Sequence, residues 1–219
     1  HERSVNTDVT MALLKSASAA RASEGNPLKL IITSATLDAD RFSAYFDVCP
    51  VVRVAGRTFP VECHYQPDPQ DYLGAAVDLC MRIHETSESG DILVFLASKE
   101  EIEEAVRRCA AAMREWQQRA APEGPRPRVL RPLQLHSKAS KEEQDLVFKA
   151  APEGERRAIF STNFAEASVT IDGIVFVVDP GFVKQSSYDA QTGLESLVPR
   201  RISQASAAQR MGRAGRTAA

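Results

Sequence analysis

The chain has 219 residues, of which 43% are hydrophobic and 26% are charged, a composition typical of one large or two small globular domains. Its 27 lysines and arginines and 29 aspartates and glutamates give a net charge of -2, which excludes a uniformly basic nucleic-acid-binding protein. No apolar run reaches membrane-spanning length, and the 4 cysteines form no Cys-x-x-Cys motif, so buried reduced thiols are favoured over disulfides or a zinc site.

The N-terminal part of the chain has the pattern of an incomplete α/β domain. Its apolar spacing predicts helices over residues 7–22 and 38–46. Two short apolar runs, 28–32 and 51–54, predict strands, the first of them a buried parallel strand. Turn-forming residues at 56–60 end in a proline, which has no N–H to donate, and they predict a linker.

This linker divides the chain into domains of residues 1–60 and 61–219. In the second domain, helices and strands are predicted to alternate, which implies a parallel, doubly wound sheet. The predicted helices are 72–85, 100–119 and 140–148, and the predicted strands are 92–96, 129–135, 158–161 and 174–178. Ligands of such sheets bind at the carboxyl ends of the strands. The segments expected there are Ser34–Thr36, Ser98, Ser161–Ser168 and Asp179.

Residues 182–198 break the alternation. A turn-rich stretch, 188–193, lies between two segments with strand-forming residues, so the pattern predicts a β-hairpin that projects from the sheet. The alternative is an ordinary long connection between two elements.

The C-terminal end of the chain is locally basic. No acidic residue follows Glu195, whereas Arg200, Arg201, Arg210, Arg213 and Arg216 do. A surface of this kind could bind phosphates although the chain as a whole is slightly acidic.

Residues 209–216, with the sequence QRMGRAGR, contain three arginines and two glycines. On a helix, Gln209, Arg213 and Arg216 would share one face and Arg210 would point elsewhere. Guanidinium groups bind phosphate oxygens in a fork and stabilise the charge that develops in phosphoryl transfer. The two glycines would let a backbone or a ligand approach closely. The alternatives are a solvated basic helix end and a Gly-x-x-Gly loop that clamps an RNA backbone.

Taken in order, the motifs of the chain resemble those of the DEAH-box RNA helicases that remodel spliceosomes and preribosomes. The resemblance covers nearly the whole chain. The matching segments are His1 to Arg3 (the end of the DEAH box), 34–38 (SATLD, motif III), 56–61 (GRTFPV, the domain junction), 90–96 (GDILVFL, motif IV), 161–173 (STNFAEASVTIDG, motif V), 179–182 (DPGF, the start of the hairpin) and 209–216 (QRMGRAGR, motif VI). Because the chain starts at His1 without an initiator methionine, we expect it to be a piece of a longer protein.

The resemblance implies an α/β fold with a RecA-like, doubly wound parallel sheet and a projecting β-hairpin. It also implies a role for particular residues. These are Gln209, Arg213 and Arg216 on the nucleotide phosphates, with both arginines as arginine fingers; Asp172 on the ribose; Phe148 stacked on the base; Thr162 and Ser137 on RNA; and Ser34, Thr36 and Ser168 in coupling between the sites. Without the motif order, the favoured interpretations would be a core aromatic for Phe148, a simple turn for Ser34 and Thr36, and a frayed terminus for His1.

Some positions depart from the pattern of this family. Ala97 and Ser98 replace the usual Thr-Gly of motif IV, which puts an RNA contact there in doubt. In motif V, Phe164 and Ala167 replace the usual isoleucine and threonine, and Met211 replaces a small alanine in motif VI. The Gly-x-x-x-x-Gly-Lys-[Ser/Thr] loop that cradles phosphates does not occur in the sequence.

The function implied by the resemblance is that of an ATP-dependent RNA helicase in RNA unwinding or RNP remodelling, in pre-mRNA splicing or ribosome biogenesis. ATP and Mg²⁺ are the implied cofactors, and the Mg²⁺ ligands are expected to precede His1, so the chain alone is expected to be inactive and to hold no metal. The implied partners are RNA and an activating protein of the G-patch type. We expect a monomer without membrane contact, in the nucleus, the nucleolus or the cytoplasm. The alternative is a non-catalytic nucleotide- or RNA-binding module with a helicase-like fold.

Overall fold

The computed structural model of the protein describes residues 4–33, 39–54, 59–119, 129–167 and 169–216. The chain divides into two compact units, His1–Gly56 and Arg57–Ala219. Most of the predicted linker lies outside the described residues. Phe59 already belongs to the second unit, where its backbone N–H donates to the carbonyl of Gly215 at 2.9 Å.

The first unit contains two helices, α1 (Val5–Ser23) and α2 (Ala39–Tyr45). Helix α1 begins after Ser4, whose hydroxyl accepts a hydrogen bond from the N–H of Thr7 at 3.1 Å and so caps the helix. Lys15 forms an ion pair with Asp47 at 3.0 Å within this unit. Both predicted helices are therefore present, with ends shifted by one to two residues.

The two strands predicted in the first unit are wrong. Residues 28–32 and 51–54 form no strand, and the side chain of Ile31 in the first run is 86% exposed. A strand is defined by the neighbour that takes its backbone hydrogen bonds. The described residues of this unit contain no such neighbour, so apolar composition alone does not make these runs strands.

The second unit is built on a parallel sheet of four strands in the order β2-β3-β1-β4. A two-stranded antiparallel hairpin follows it in the chain. In chain order the elements are α3 (Tyr72–Thr86), β1 (Asp91–Phe95), α4 (Lys99–Arg119), β2 (Val129–Leu135), α5 (Lys141–Phe148), β3 (Glu155–Ser161), α6 (Phe164–Ala167), β4 (Ile174–Val178), β5 (Phe182–Asp189), β6 (Leu194–Arg201) and α7 (Gln204–Met211).

Helices cover both faces of the sheet, as predicted for a doubly wound fold. Ile92 and Val94 of β1 point into a core shared with α3 and α4, whereas Leu93 and Phe95 point into a core shared with α5 and α6. Because successive strand residues face opposite sides, a strand buried on both faces needs an unbroken apolar run. The unbroken apolar run at 92–96 meets this requirement, and the predicted strand is present as β1.

Strand β2 lies at one edge of the described sheet and contains Pro132. An edge strand tolerates a proline because it lacks a second neighbour that would need the missing N–H. The following helix, α5, begins with the predicted capping box, in which Ser140 accepts from the N–H of Glu143 and Glu143 accepts from the N–H of Ser140.

The hairpin of β5 and β6 is present, and its register pairs Asp189 with Leu194 at the tip. The carboxylate of Asp189 accepts from the N–H of Gln191 at 2.8 Å, and the backbone at Gly193 has a φ of 68°, which glycine adopts without strain. At the base of the hairpin, the ring of Phe182 stacks on Tyr72, with 5.0 Å between the ring centres. The side chain of Tyr188, near the tip, is 65% exposed.

All four cysteines are free thiols, and two of them are buried as predicted. Cys80 and Cys109 are fully buried in the core between α3 and α4, and burial raises the pKa of both thiols. Cys63 is exposed, so the prediction of buried thiols is wrong for it. Its sulfur lies 3.0 Å from that of Met211.

A buried histidine near the C-terminal end of α3, His84, lies beside a buried arginine, Arg156. The ring of His84 packs edge-on against Trp116, with 5.0 Å between the centres. Arg156 donates to the carbonyls of Ile83 and Ser87, each at 2.9 Å, and thereby satisfies the C-terminal end of α3. Burial, and then the charge of Arg156, lowers the pKa of His84 from 6.5 to about 4.

This lowered pKa predicts a loss of stability in mild acid. Protonation of His84 is easier in the unfolded chain, so its contribution is complete above pH 6.5 and declines as the pH falls towards 4. Between pH 7 and pH 5 the free energy of unfolding should fall by about 2 kcal/mol more in the natural chain than in His84→Phe. Urea unfolding of both proteins at the two pH values measures the difference. Equal losses would show that folding does not lower the pKa of His84.

Candidate functional site

Helix α7 and the turns after it carry the arginines of motif VI. The helix begins after Ser203, whose hydroxyl accepts from the N–H of Ser206 at 3.1 Å, and it ends at Met211, followed by Gly212. Residues 212–216 form turns. The prediction that one helical face carries Gln209, Arg213 and Arg216 is therefore wrong, because the helix ends before the two arginines. Only Gln209 lies on α7.

Arg213 and Arg216 nevertheless converge on one segment of motif V, residues 169–172, which lie between α6 and β4. Arg213 donates through Nη1 to the carbonyl of Val169 at 2.7 Å and through Nη2 to the carbonyl of Glu166. Arg216 donates through Nη1 to the hydroxyl of Thr170 at 3.2 Å. The turn after α7 thus places both guanidinium groups next to motif V.

The two arginines differ in their surroundings. Arg213 is buried, whereas Arg216 is exposed. Burial, followed by the positive charge of Arg216, lowers the pKa of Arg213 to about 10, so it stays charged at neutral pH. The Nε of Arg213 has no hydrogen-bond partner among the described residues. A buried cation next to another cation is stabilised by any anion that comes between them.

Arg210, predicted to point elsewhere, is fully buried and bonds motif V to the start of the hairpin. Its Nε donates to the carboxylate of Glu166 at 2.9 Å, and Nη1 donates to the carboxylate of Asp179 at 2.9 Å and to the carbonyl of Phe182 at 3.2 Å. Its guanidinium also lies 4.7 Å from the centre of the Phe95 ring. The sequence analysis missed these partners. The sequence contains one indication of them: no acidic residue follows Glu195, so a buried arginine in this region has to pair with an acidic residue earlier in the chain.

Asp172 and Phe148, the predicted ribose and base contacts, both lie at the amino edge of the sheet. Asp172 is exposed and precedes β4, and Phe148 is 42% exposed at the end of α5, before β3. Asp172 is also the last residue of the segment 169–172 that Arg213 and Arg216 contact. Arg157 of β3 donates to the carbonyl of Asp172 and to the carbonyls on both sides of Phe148.

Ser137 and Thr162, the predicted RNA contacts, lie at the opposite, carboxyl edge of the sheet. They follow the neighbouring strands β2 and β3, which pair at Leu135 and Ser161. The carbonyl of Leu135 accepts from the hydroxyl of Ser161 at 2.9 Å and from the N–H of Thr162 at 3.4 Å. Ser137 is exposed. The structure therefore groups the two predicted RNA residues and separates them from the predicted base and ribose residues.

The loop after β1, where motif IV departs from its usual sequence, is closed onto α4. Ala97 and Ser98 are buried. The N–H of Ala97 donates to the carboxylate of Glu101 at 2.9 Å, and the hydroxyl of Ser98 accepts from the N–H of Glu101 at 3.3 Å. Ser98 here caps a helix, which accounts for its side chain without an RNA contact.

Three predicted coupling residues, Ser34, Thr36 and Ser168, lie outside the described residues.

None of the helices that the structure describes is long and apolar enough to span a membrane. Across the described ranges, no group of three or more His, Cys, Asp or Glu side chains is arranged to hold a metal ion.

Comparison with known proteins identifies the family. A match to the family described as helicase conserved C-terminal domain covers residues 75–218, and the chain therefore belongs to this family. The pre-mRNA-splicing factor ATP-dependent RNA helicase prp22 of Schizosaccharomyces pombe is 48% identical over 218 residues, which are 99% of this chain and 18% of that protein. The resemblance to DEAH-box RNA helicases is thus confirmed.

Solved structures agree with this family and with the predicted fold class. A crystal structure of the Escherichia coli DEAH/RHA helicase HrpB superposes with a TM-score of 0.79 at 37% identity and covers 99% of this chain and 26% of that one. A structure described as the E. coli DExH-box NTPase HrpB gives a TM-score of 0.81 at 36% identity, with 100% and 25% covered. The chain therefore spans about a quarter or less of the length of these relatives.

Gly215 lets the turn of motif VI pack against the start of the second unit. A Cβ atom at this position would lie 2.6 Å from the carbonyl oxygen of Phe59 and 2.9 Å from a methyl group of Val61. At Gly212 the nearest atom to such a Cβ would be the carbonyl oxygen of Ala208, at 3.3 Å. The predicted close approach of a backbone is therefore found at Gly215.

Gly215→Ala should destabilise the protein by about 1–3 kcal/mol, because a backbone atom has to move to make room for the methyl group. Gly212→Ala lies in the same turn and serves as the matched control, with a smaller expected loss. Thermal unfolding of both variants measures the difference. If the two variants were equally stable, Phe59 would not pack against Gly215 as described.

Proposed function

We propose that the chain is the C-terminal helicase domain region of an ATP-dependent RNA helicase that couples ATP hydrolysis to RNA unwinding or RNP remodelling. Within it, Arg213 and Arg216 serve as arginine fingers with Gln209 beside them, Asp172 and Phe148 bind the ribose and the base, and Thr162 and Ser137 contact RNA. Ser34, Thr36 and Ser168 couple these sites. The hydrolytic activity belongs to a longer protein, and the chain alone is inactive.

One observation carries this proposal: Arg213 and Arg216 both contact the segment of residues 169–172, whose last member is Asp172. A nucleotide with its ribose at Asp172 would extend its phosphates along this segment towards the two cations. The lowered pKa of Arg213 supports an anion there, because a phosphate would offset both the burial and the repulsion from Arg216. Forked guanidinium donors suit the equatorial oxygens of a transferring phosphoryl group.

Mg²⁺ would neutralise the phosphate charge in such a reaction. Its ligands would lie in a part of the parent protein that precedes His1, as the family resemblance implies. The residues of this chain would instead bind the base and ribose and stabilise negative charge on the phosphates.

RNA is the proposed partner, along the edge with Ser137 and Thr162, together with an activating protein of the G-patch type. The relative named a pre-mRNA-splicing factor supports a role in splicing and a nuclear location. Ribosome biogenesis, with a nucleolar location, is the other role that we consider, and we expect a monomer.

Arg216→Ala in the parent helicase should lower kcat about 100-fold or more and leave the affinity for ATP nearly unchanged. A finger acts on charge that develops in the transition state, so its loss affects the rate more than ground-state binding. Arg216→Lys should not restore the rate, because an ammonium lacks the guanidinium fork. RNA-stimulated phosphate release measures kcat, and direct ATP binding measures the affinity.

The matched control is Arg114→Ala, which removes another exposed arginine, on α4, far along the chain from motifs V and VI. It should retain the full rate, and the chain alone should give no turnover. An unaltered rate in Arg216→Ala would make Arg216 a surface arginine and favour the non-catalytic binding module.

The hairpin supplies a second test, of unwinding rather than hydrolysis. Its exposed tip could block one strand of a duplex while the other is drawn past the RNA residues at the carboxyl edge. Ser187 and Ser196 are opposite each other in the register. Joining them through Asn-Gly removes the tip and keeps the pairing of the remaining arms, because this dipeptide favours a two-residue hairpin turn.

We expect the shortened parent to keep RNA-stimulated ATPase activity but to lose duplex unwinding. In the matched control, Asn-Gly joins Asp189 to Leu194, which shortens the loop and preserves both arms; this variant should unwind normally. Both activities are measured on one preparation, with single-stranded RNA and with a tailed duplex. If the tipless variant unwinds as much duplex per ATP as the control, the hairpin only braces a neighbouring part of the parent protein.

A further inference from the structure

Arg157 of β3 is a buried arginine whose donors are all engaged. A guanidinium has five N–H donors in a fixed plane. Nε and Nη2 donate to one carboxylate oxygen of Asp91 at 2.8 Å and 2.6 Å, Nη1 donates to the carbonyls of Val147 (2.7 Å) and Lys149, and the second donor of Nη2 goes to the carbonyl of Asp172.

The carbonyl groups that Arg157 binds belong to two separate segments. Val147 and Lys149 lie on either side of Phe148, at the end of α5, where helical carbonyls lack partners within the helix. Asp172 lies in the turn that precedes β4. One rigid guanidinium plane therefore fixes the backbone at the residue proposed for the base and at the residue proposed for the ribose.

Asp91 anchors this guanidinium in the sheet. Its other carboxylate oxygen accepts from the backbone N–H of Arg157 at 2.7 Å, and its own N–H donates to the carbonyl of Gly173 at 2.9 Å. A Cβ at Gly173 would lie 2.8 Å from the Asp91 carboxylate and 3.2 Å from Nη2 of Arg157, so glycine is needed for the approach. The ion pair is nearly buried, with side chains 4% and 10% exposed.

We propose that Arg157 is a positioning residue for the nucleotide: it sets the distance and orientation between Phe148 and Asp172, and thereby the affinity for the base and ribose of ATP. The inference rests on the proposed function, since it requires that these two residues contact the nucleotide. Arg157 itself does not touch the ligand. Its effect should therefore appear in the affinity for ATP, with little change in the rate at saturation.

The neighbouring Arg156 offers a matched control. It is equally buried in the same strand, and it also donates to two carbonyls at a helix end, those of Ile83 and Ser87. Its side chain lies on the other face of the sheet, with α3, and none of its described contacts involves Phe148 or Asp172. Loss of either arginine removes buried hydrogen bonds, but only loss of Arg157 should lower the affinity for ATP.

The experiment compares Arg157→Lys and Arg156→Lys in the full-length helicase, with RNA saturating. Lysine keeps the charge opposite Asp91 but cannot hold three carbonyls and a carboxylate in one plane. We expect Arg157→Lys to raise KM for ATP about fivefold or more, with kcat within about twofold of the natural protein. Arg156→Lys should leave both constants unchanged, although both variants lower the thermal unfolding temperature. If Arg157→Lys does not fold, Asp91→Asn, which keeps the shape of the anchor, should raise KM in the same direction.

Double variants separate positioning from a general loss of structure. If Arg157 acts through Phe148, then Arg157→Lys should add little to the KM of Phe148→Ala, whereas independent effects would multiply. Equal KM changes in the two lysine variants, or full multiplication with Phe148→Ala, would overturn the positioning role alone. If Phe148→Ala and Asp172→Ala leave KM unchanged, the proposed nucleotide site is wrong and the role of Arg157 falls with it.

Discussion

Buried guanidinium groups hold together the parts of the second unit that have no strand or helix partner. Motif V leaves the sheet after β3 and returns to it at β4, and in between it contains the short helix α6 and the segment 169–173, which belongs to no helix or strand. Buried carbonyls without partners are costly. Arg213 satisfies those of Glu166 and Val169, Arg157 satisfies that of Asp172, and Arg210 pairs with the Glu166 carboxylate. The path of motif V thus depends on cations supplied from elsewhere in the chain.

The elements of the second unit could be predicted from the sequence because each depends on local pattern. The apolar run at 92–96 and the Ser140–Glu143 capping box identify a strand buried on two faces and the start of a helix. The same reasoning failed at 28–32, where an apolar run of similar length forms no strand and no residue is fully buried. Burial of a strand depends on its neighbours in the sheet, and those neighbours are not encoded in the run itself.

The candidate site was predictable in its residue types and less so in its geometry. The order of the motifs indicated Arg213, Arg216 and Asp172, but Gly212 ends α7 early, so the arginines reach motif V from a turn rather than from a helical face. The pair of Asp91 and Arg157 was out of reach, because its partners are 66 residues apart and each lies in a stretch that reads simply as the start of a strand. Long-range pairs of buried charges are a property of the folded topology.

The proline in the edge strand β2 has a consequence for the behaviour of the protein in solution. An uncovered parallel edge presents a row of N–H and carbonyl groups, which can template the addition of a strand from another molecule. Pro132 removes one donor from the middle of this row, and beside it Arg131, paired with Glu155 at 3.4 Å, brings charge to the same edge. Both features make β2 a poor template, so the described sheet is protected at this edge against self-association into larger aggregates.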